Sequence, residues 1–313
     1  MRARSLLAGA AAGTLFILAA CGGTSGGGNG GVDRNKGSKG NLTVVGQGFT
    51  ESDVVANLYA DVLSKAGYKT TVTKVSNTEL VQKSLQNGQV AVAPEYAATY
   101  ADELNTTING PKAASVASPD LQTTLKALKT LANKVGLTPL DPSKAVDQNA
   151  FAVSTKFAKQ HSLKTLSDLG RSKVPVILAA AAECKIRPFC QPGLEKTYGI
   201  KVTKIDQLGV DTTATKNTVA KGVDQLALVL TTDATVSDAG LVTLTDDKHL
   251  QNADYLIPIV NTKKLTPDIE KALNGLSAVL TTADLAQMNK QVDVGQMTAA
   301  DVASAYLKTK GLL

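Results

Sequence analysis

The chain of 313 residues contains no tryptophan, two histidines and three cysteines. His161 and His249 are far apart in the sequence, and a zinc site built on two of the cysteines would need two further soft ligands near them. No Gly-x-Ser-x-Gly elbow joins a predicted strand to a helix, and Gly46-Gln47-Gly48 lacks the full glycine pattern of a phosphate-binding loop. The sequence therefore indicates no metal and no cofactor, while a catalytic triad assembled from distant residues stays open.

Clustered positive charge is also missing. The formal net charge is +6, and it falls to +4 when Arg2 and Arg4 are removed with the leader described below. The remaining lysines and arginines are scattered, whereas a nucleic-acid-binding protein concentrates them on one face. We therefore expect no nucleic-acid partner. After residue 20, no apolar run approaches the ~20 residues that a membrane-spanning helix needs.

The N-terminus has the pattern of a secretory leader. Arg2 and Arg4 precede an apolar run from Leu6 to Ala20, which ends in small residues and is short for a membrane span. The sequence Leu18-Ala19-Ala20-Cys21 resembles the bacterial lipobox, whose cysteine is lipidated after cleavage. We predict a signal peptide over residues 1–20 and lipidation of Cys21. Mass spectrometry of the mature N-terminus would separate this from an ordinary signal peptide.

Glycine dominates the segment after Cys21. Residues 22–40 contain nine glycines and almost no apolar side chain. Such a composition predicts a disordered tether over residues 21–40, with a reach of roughly 25 Å. With Cys21 assigned to lipid, Cys184 and Cys190 remain, and outside the cytoplasm a close pair of this kind is more often a disulfide than a metal or redox site. We predict that these two cysteines are bonded.

Short apolar segments alternate with amphipathic ones from Leu42 onward, which is typical of an α/β architecture with mostly parallel strands. The expected strands are 42–45, 69–75, 90–92, 150–153, 174–179, 202–205, 226–230, 241–244 and 255–260. Three helices follow near 268–279, 283–292 and 299–308. We expect one lobe from residues 41–146 and 247–313, a second from 147–246, two crossovers near Asp147 and near 232–246, and a ligand cleft between the lobes.

The first helix and the third strand carry the first candidate site residues. Thr50 is the expected N-cap of the helix, with Glu51 and Asp53 in its first turn, where acidic side chains suit the helix dipole. The strand delivers Tyr96 at its carboxyl end, and ligands bind at those ends in open α/β sheets. We therefore expect Tyr96 to face a ligand site.

Several segments, in this order along the chain, resemble the substrate-binding proteins of importers for glycine betaine, choline and other osmoprotectants. They are Gly48-Phe49-Thr50-Glu51-Ser52, Ala66-Gly67-Tyr68, Pro94-Glu95-Tyr96 with Thr99, 137–142, 183–187, Pro192-Gly193-Leu194, Tyr198-Gly199, Leu280-Thr281-Thr282 with Leu285, and 291–294. The resemblance covers residues 42–313. It implies a two-lobe periplasmic-binding-protein-like (type II) fold, reversible binding without chemistry, an extracytoplasmic location, a monomer, and ABC permease and ATPase partners.

The resemblance also implies a ligand site. A trimethylammonium group is held by aromatic faces through cation–π attraction, and a carboxylate favours a bidentate arginine. Tyr96 matches a ring of the family's aromatic cage and Thr99 a hydroxyl donor. Arg187 matches the carboxylate-binding arginine, with Glu183 as its acidic partner, and Phe151 stands where a tyrosine is usual. The remaining candidates for ligand binding are Gln47, Thr50 and Tyr255.

Two positions of the cage differ in this chain. Leu230 stands where an aromatic residue is expected, and Asp254 stands beside Tyr255 at the last position. Together with the absence of tryptophan, this argues against a complete four-ring cage. The leading hypothesis is a quaternary amine such as glycine betaine or choline. The alternatives are an aromatic, polyol or amino-acid-like ligand on the same fold, or an anchored extracellular hydrolase.

Overall fold

The computed structural model of the protein describes residues 32–75 and 78–313. The predicted signal peptide, the predicted lipidation site Cys21 and the first part of the predicted tether lie outside the described residues. The described chain forms two five-stranded sheets with helices packed on them. In this part of the chain, no helix has both the length and the apolar character needed to cross a membrane.

The first sheet defines the first lobe. Its strands are β1 (Asn41–Gly46), β2 (Lys69–Lys74), β3 (Val92–Tyr96), β4 (Leu137–Pro139) and β10 (Leu256–Asn261), in the order β2-β1-β3-β10-β4. β1 runs parallel to β2 and β3, whereas β10 runs antiparallel to β3 and β4. Every residue of β10 is buried, so this returning strand lies within the core of the lobe.

Within residues 32–75 and 78–313, the helices of the first lobe are α1 (Thr50–Lys65), α2 (Thr78–Gln86), α3 (Ala97–Asn109), α4 (Leu121–Lys134), α9 (Pro267–Ser277), α10 (Thr282–Asp293) and α11 (Ala299–Thr309). The apolar face of α1, including Leu58 and Tyr59, packs in one core cluster with side chains of α9, α10 and α11. The last three helices of the chain therefore pack on the first lobe, as expected from the sequence, and they do so against its first helix.

Helix α1 begins one residue earlier than its predicted cap implies. The N-cap residue is Phe49, whose side chain makes no capping hydrogen bond. Thr50 already lies inside the first turn, and its hydroxyl donates to Asp293 at the end of α10. The predicted N-cap was wrong because a partner 243 residues away engages the threonine, and local sequence does not reveal such a partner.

The second sheet defines the second lobe. Its strands are β5 (Asn149–Ser154), β6 (Val176–Ala180), β7 (Val202–Gln207), β8 (Leu226–Leu230) and β9 (Leu241–Leu244), in the order β7-β6-β8-β5-β9. β6 is parallel to β7 and β8, and β5 is antiparallel to β8 and β9. The expectation of mostly parallel strands was therefore wrong, because apolar alternation reports burial and carries no information on strand direction.

The helices of the second lobe are shorter. They are α5 (Thr155–His161), α6 (Leu166–Ser172), α7 (Gln191–Gly193) and α8 (Thr213–Ala220), and α7 continues into a π-helical turn, Leu194–Tyr198. Cys184 and Cys190 are bonded and each is 2% exposed. The predicted disulfide is confirmed. It closes a loop, residues 184–190, that carries Arg187 and Phe189.

The end of the predicted tether is bound to the first lobe. Arg34 Nε lies 2.7 Å from Asp61 Oδ1 in α1, and Arg34 O accepts from Thr70 N in β2. The Lys39 amide donates to Gly67 O. The prediction of disorder was wrong for this stretch, because Arg34 supplies a partner to the buried carboxylate of Asp61, which glycine content does not reveal.

Candidate functional site

The two lobes meet along a cleft that contains two adjoining cavities. The central cavity has a volume of about 320 Å³ and is lined by Tyr96, Ala98, Thr99, Asp102, Asp147, Gln148, Asn149, Phe189, Leu230, Gln251, Asn252 and Asp254. The α10 cavity has a volume of about 420 Å³ and is lined by residues 49–51, Asp147, Asp211, Thr213, Lys216, Leu230, residues 232–235, Asn289, Lys290, Asp293 and Val294. Asp147 and Leu230 line both cavities and form the wall between them.

Tyr96 combines an aromatic face with a buried hydrogen bond. It is the last residue of β3, and its hydroxyl donates to Glu51 Oε1 over 2.6 Å. Asn289 Nδ2 donates to the other oxygen, Glu51 Oε2, over 2.8 Å. Burial, reinforced by the Glu51 carboxylate, raises the pKa of Tyr96, so the phenol stays neutral and keeps donating. α1, β3 and α10 are thus joined at the edge of the cleft.

Asp254 caps helix α3 from the far end of the chain. Its Oδ1 accepts from the backbone amides of Ala98 and Thr99 over 2.9 and 3.0 Å, and its Oδ2 accepts from the Thr99 hydroxyl over 2.6 Å. These amides are the free donors that every helix presents at its first turn. Burial raises the pKa of Asp254 in spite of these bonds. The hydroxyl of Thr99 is therefore engaged by Asp254.

Asp147 lies on the first crossover between the lobes. Its Oδ1 accepts from the Thr232 hydroxyl over 3.0 Å, and its backbone amide donates to Asp254 O. Asp254 lies on the second crossover, which connects β9 to β10. The predicted position of this crossover, near 232–246, was too early in the chain, because β9 still pairs with β5 in the second sheet. Burial, followed by repulsion from Glu51, raises the pKa of Asp147 to about 8. The two crossovers are thereby hydrogen-bonded to each other, and a carboxylate that is hard to ionise faces both cavities.

A second buried acid lies behind the cleft. Glu95 in β3 is fully buried, and its Oε1 accepts from Gln47 Nε2 over 3.2 Å. Its Oε2 has no partner among the described residues. Burial and the nearby Asp254 raise the pKa of Glu95. Gln47 in turn accepts from the Thr78 hydroxyl, so this glutamine connects β1, β3 and α2 and lies outside the lining of both cavities.

Lys216 is the positive charge of the α10 cavity on the second lobe. Its ammonium group contacts Asp233 and lies 3.3 Å from Asp211 Oδ1, and it donates to the Thr235 hydroxyl over 3.0 Å. Burial and the neighbouring Asp233 raise the pKa of Asp211 to about 7. The lysine is therefore already paired with Asp233 and close to Asp211, which reduces its attraction for a ligand carboxylate.

A third cavity, the loop cavity, contains Arg187. It has a volume of about 330 Å³ and is lined by Asn149, Ala181, Cys184, Arg187, Pro188, Phe189, Cys190, Val210 and Leu228. All of these residues belong to the second sheet or its connections. The Arg187 side chain is exposed, and no ion pair of it occurs among the described side chains. Asn149 and Phe189 separate the loop cavity from the central one.

The structure brings some of the predicted site residues together and leaves others apart. Tyr96 and Thr99 line the central cavity, Thr50 lines the α10 cavity and Arg187 lines the loop cavity. Phe151 is 1% exposed and packs in the core of the second lobe, paired with Leu228 and Leu244. Phe151 is thus absent from the lining of these cavities.

Two further predicted residues lie outside the cavity linings. Tyr255 precedes β10, where its carbonyl accepts from the amide of Ala97. Glu183 belongs to the 3₁₀ turn Ala182–Lys185, and its side chain lies outside the part that the structure describes. Its predicted partnership with Arg187 therefore stays a prediction.

Sequence reasoning missed several residues of the cleft. Asp147 was identified only as a crossover, Asp254 only as the loss of an aromatic ring, and Phe189 and Asn289 were not identified. A usable signal for Phe189 was its position between two cysteines, since a disulfide fixes the side chains of a short loop. Within residues 32–75 and 78–313, no group of three His, Cys, Asp or Glu side chains is placed to hold a metal ion.

Comparisons with known proteins agree with this architecture. The OpuAC family model, described as the substrate binding domain of an ABC-type glycine betaine transport system, matches residues 40–309. A glycine-betaine-binding protein of Pseudomonas aeruginosa is 24% identical over 283 residues, which are 87% of this chain and 88% of that protein. The structure of apo YehZ from Escherichia coli is 27% identical with a TM-score of 0.72, over 87% of this chain and 99% of that one. A glycine betaine/carnitine/choline ABC transporter structure is 19% identical with a TM-score of 0.76, over 88% and 99%.

Proposed function

The chain belongs to the family of substrate-binding domains of ABC-type glycine betaine transport systems, and we propose that it captures a small quaternary amine in its central cavity. It is an extracytoplasmic solute-binding protein of an ABC importer, and it works with a permease and an ATPase. Family members bind their substrates without converting them. The proposed ligand is an osmoprotectant such as glycine betaine or choline.

The composition of the central cavity carries the proposal. Tyr96 and Phe189 supply aromatic rings from different lobes, and Asp102, Asp147 and Asp254 supply carboxylates. A trimethylammonium group donates no ordinary hydrogen bond, so it is recognised by aromatic faces and by negative charge, and each ring contributes about 0.5–2 kcal/mol. A site with both features suits such a group better than it suits an anion.

Closure of the lobes is the mechanism that this geometry supports. Tyr96 and Thr99 come from the first lobe, whereas Phe189 and Leu230 come from the second. A ligand that contacts both sides stabilises the closed state by its difference in affinity for the two states. The permease then receives the closed form. No group in this scheme needs to gain or lose a bond.

The N-terminus completes the proposal. Cleavage before Cys21 and lipidation of its thiol would hold the protein at the outer face of the membrane by lipid alone, as a monomer. The lipobox-like sequence supports this arrangement. In membrane fractions, Cys21→Ser is expected to move the protein into the soluble fraction.

Calorimetric titration with glycine betaine, choline, carnitine and proline betaine tests the ligand class. We expect a saturable heat with at least one of them. If none binds, the quaternary-amine assignment is wrong, although membership of the family is not affected.

One observation favours a second candidate ligand class. Leu230 lines the central cavity where the family resemblance predicts a ring, and Thr99 is engaged by Asp254. A central cavity with an aliphatic side chain at this position also suits an aromatic, polyol or amino-acid-like ligand. A thermal-shift screen of a broad metabolite set distinguishes these, because a ligand that binds only the folded state raises Tm. Turnover of a hit during incubation would instead favour an anchored hydrolase.

A further inference from the structure

The central cavity has an excess of acidic side chains over basic ones. Of the twelve described residues that line it, three are aspartates, and none is lysine, arginine or histidine. The cavity lies between the two lobes, with one aromatic ring from each, so its carboxylates are partly withdrawn from bulk water. Like charges repel more strongly in such a site than in water. A ligand that carries its own carboxylate would therefore meet repulsion there.

The three aspartates differ in how far their oxygens are engaged. Asp102 accepts from Ser115 Oγ, Val116 N and Ala117 N over 2.6, 2.7 and 3.1 Å. Asp254 accepts three bonds at the start of α3. These two side chains hold a turn and a helix in place. Asp147 accepts one side-chain bond, from Thr232, so it is the carboxylate with most capacity left for a ligand.

The arginine that could attract a ligand carboxylate lies elsewhere. Arg187 lines the loop cavity, which is built from the second lobe alone, and it is absent from the lining of the central cavity. The described lining of the central cavity thus offers a trimethylammonium group three acidic side chains and offers a carboxylate no basic side chain. The two lysines of the α10 cavity are paired, Lys216 with Asp211 and Asp233 and Lys290 with Asp238.

We propose that this cleft selects a net cation without a carboxylate, a quaternary ammonium alcohol of the choline type, and that Asp147 sets this preference. The inference rests on the proposed function and narrows it. Choline and glycine betaine share the trimethylammonium group and differ where one has a hydroxymethyl group and the other a carboxylate. The aromatic rings contribute equally to both, and Asp147 separates them by charge.

Calorimetric titration of the mature protein with choline and with glycine betaine at pH 8.5 tests the proposal. We expect choline to bind at least tenfold more tightly. Asp147→Asn keeps the shape and the Thr232 contact but removes the charge, and it should reduce the ratio of the two affinities to below about threefold. Asp268→Asn, at an exposed ion pair with Lys39 on the first lobe, makes the same charge change away from the cleft and should leave the ratio unchanged.

Each other outcome is decisive. Glycine betaine binding as tightly as choline would overturn the charge preference and leave the proposed function intact. An unchanged ratio in Asp147→Asn would overturn the role of Asp147. Absence of binding by every quaternary amine would overturn the proposed function itself, together with the inference.

If Asp147→Asn does not fold, judged by circular dichroism, the wild-type protein is titrated at pH 6 and pH 9. The preference for choline must grow with pH as Asp147 ionises, and a constant ratio contradicts the proposal. The charged or titratable groups around Asp147 are Glu51 from α1, Tyr96 from β3, Asp254 from the second crossover, and Asp211, Lys216 and Asp233 from the second-lobe wall.

Discussion

Tyr96 makes two separable contributions, because its ring lines the central cavity while its hydroxyl binds Glu51. Tyr96→Ala removes the ring and should weaken ligand binding by about 1 kcal/mol or more. Tyr96→Phe keeps the ring, so binding should change little, but the lost hydrogen bond should lower stability by about 1 kcal/mol. Calorimetry and thermal unfolding measure the two effects.

Tyr198→Phe is the matched control for this pair. The Tyr198 hydroxyl also donates to a carboxylate, that of Asp246, but this residue lies outside the cleft lining. Its loss should lower stability and leave ligand affinity unchanged. A large loss of affinity in Tyr96→Phe would show that the hydroxyl, rather than the ring, is the contact that matters.

Asp147 lowers the stability of the free protein at alkaline pH. Its pKa is about 8 in the folded chain and about 3.9 when unfolded, so between these values the folded state holds a proton that the unfolded state has lost. Stability therefore falls as pH rises through this window. Asp147→Asn should be more stable than wild type at pH 9, by about 1–3 kcal/mol because the partly open cleft screens the charge.

Unfolding of the ligand-free proteins at pH 4, 7 and 9 measures this effect. The difference should be smallest at pH 4, where the carboxyl is protonated in the folded state and about half protonated in the unfolded state, and should be largest at pH 9. Asp268→Asn, at the exposed ion pair of the first lobe, should show no comparable gain with pH. Equal stability of Asp147→Asn and wild type at pH 9 would contradict a raised pKa of Asp147 in the folded chain.

At the scale of elements, the disulfide loop positions one side chain of the central cavity and one of the loop cavity. Residues 184–190 carry Arg187 and Phe189, and the buried Cys184–Cys190 bond joins the ends of this loop. Replacing both cysteines with alanine should lower the free energy of unfolding by about 2 kcal/mol. Without the bond, this short loop is no longer closed in the unfolded chain, and the unfolded state gains conformational entropy. It should also weaken ligand binding several-fold, since Phe189 loses its fixed position.

Thermal unfolding and calorimetry of the double variant separate these effects, and wild-type protein treated with a reductant provides the control. A loss of stability with unchanged affinity would show that packing of Phe189 against the second lobe is sufficient to hold it in the central cavity.

The predicted elements show what sequence patterns can and cannot establish. Helix α1 was predictable because Val54, Leu58 and Val62 recur at helical spacing and face one core. Strand β4 was missed because it has only three residues and ends in Pro139. Its partner, β10, follows more than a hundred residues later, and pairing across such a distance leaves no local pattern.

At the scale of the whole molecule, Lys290 of α10 and Asp238 of the second lobe form an ion pair between the lobes. Both side chains are substantially exposed, so the pair should contribute at most about 1 kcal/mol to closure. Asp238→Asn should therefore weaken ligand binding by no more than about fivefold, and the difference from wild type should disappear in high salt.

The Lys39–Asp268 pair provides a control, because it is exposed to a similar degree but lies within one lobe. Asp268→Asn should leave affinity unchanged at every salt concentration. If both variants weaken binding equally, the effect comes from overall charge and does not involve closure.

The two-lobed architecture was predictable as a whole because strands and helices alternate in two blocks, and the family resemblance spans both. The composition of the cleft was less predictable, since it depends on contacts between residues remote in sequence. Asp254 binds the start of α3, 155 positions away in the sequence. The local sequence shows only that Asp254 replaces an aromatic residue of the family, and it does not show that Asp254 caps a helix. Phe151 and Phe189 show the same limit, because only packing decides which ring faces the cleft.

Asp147 and Leu230 form a partition between two compartments whose combined volume is larger than one small ligand occupies. A cation bound in either compartment would be attracted by the carboxylate of Asp147, so the first bound cation reduces the attraction for a second. The stoichiometry of the cleft would then be limited to one by electrostatic competition, even though volume alone would admit two.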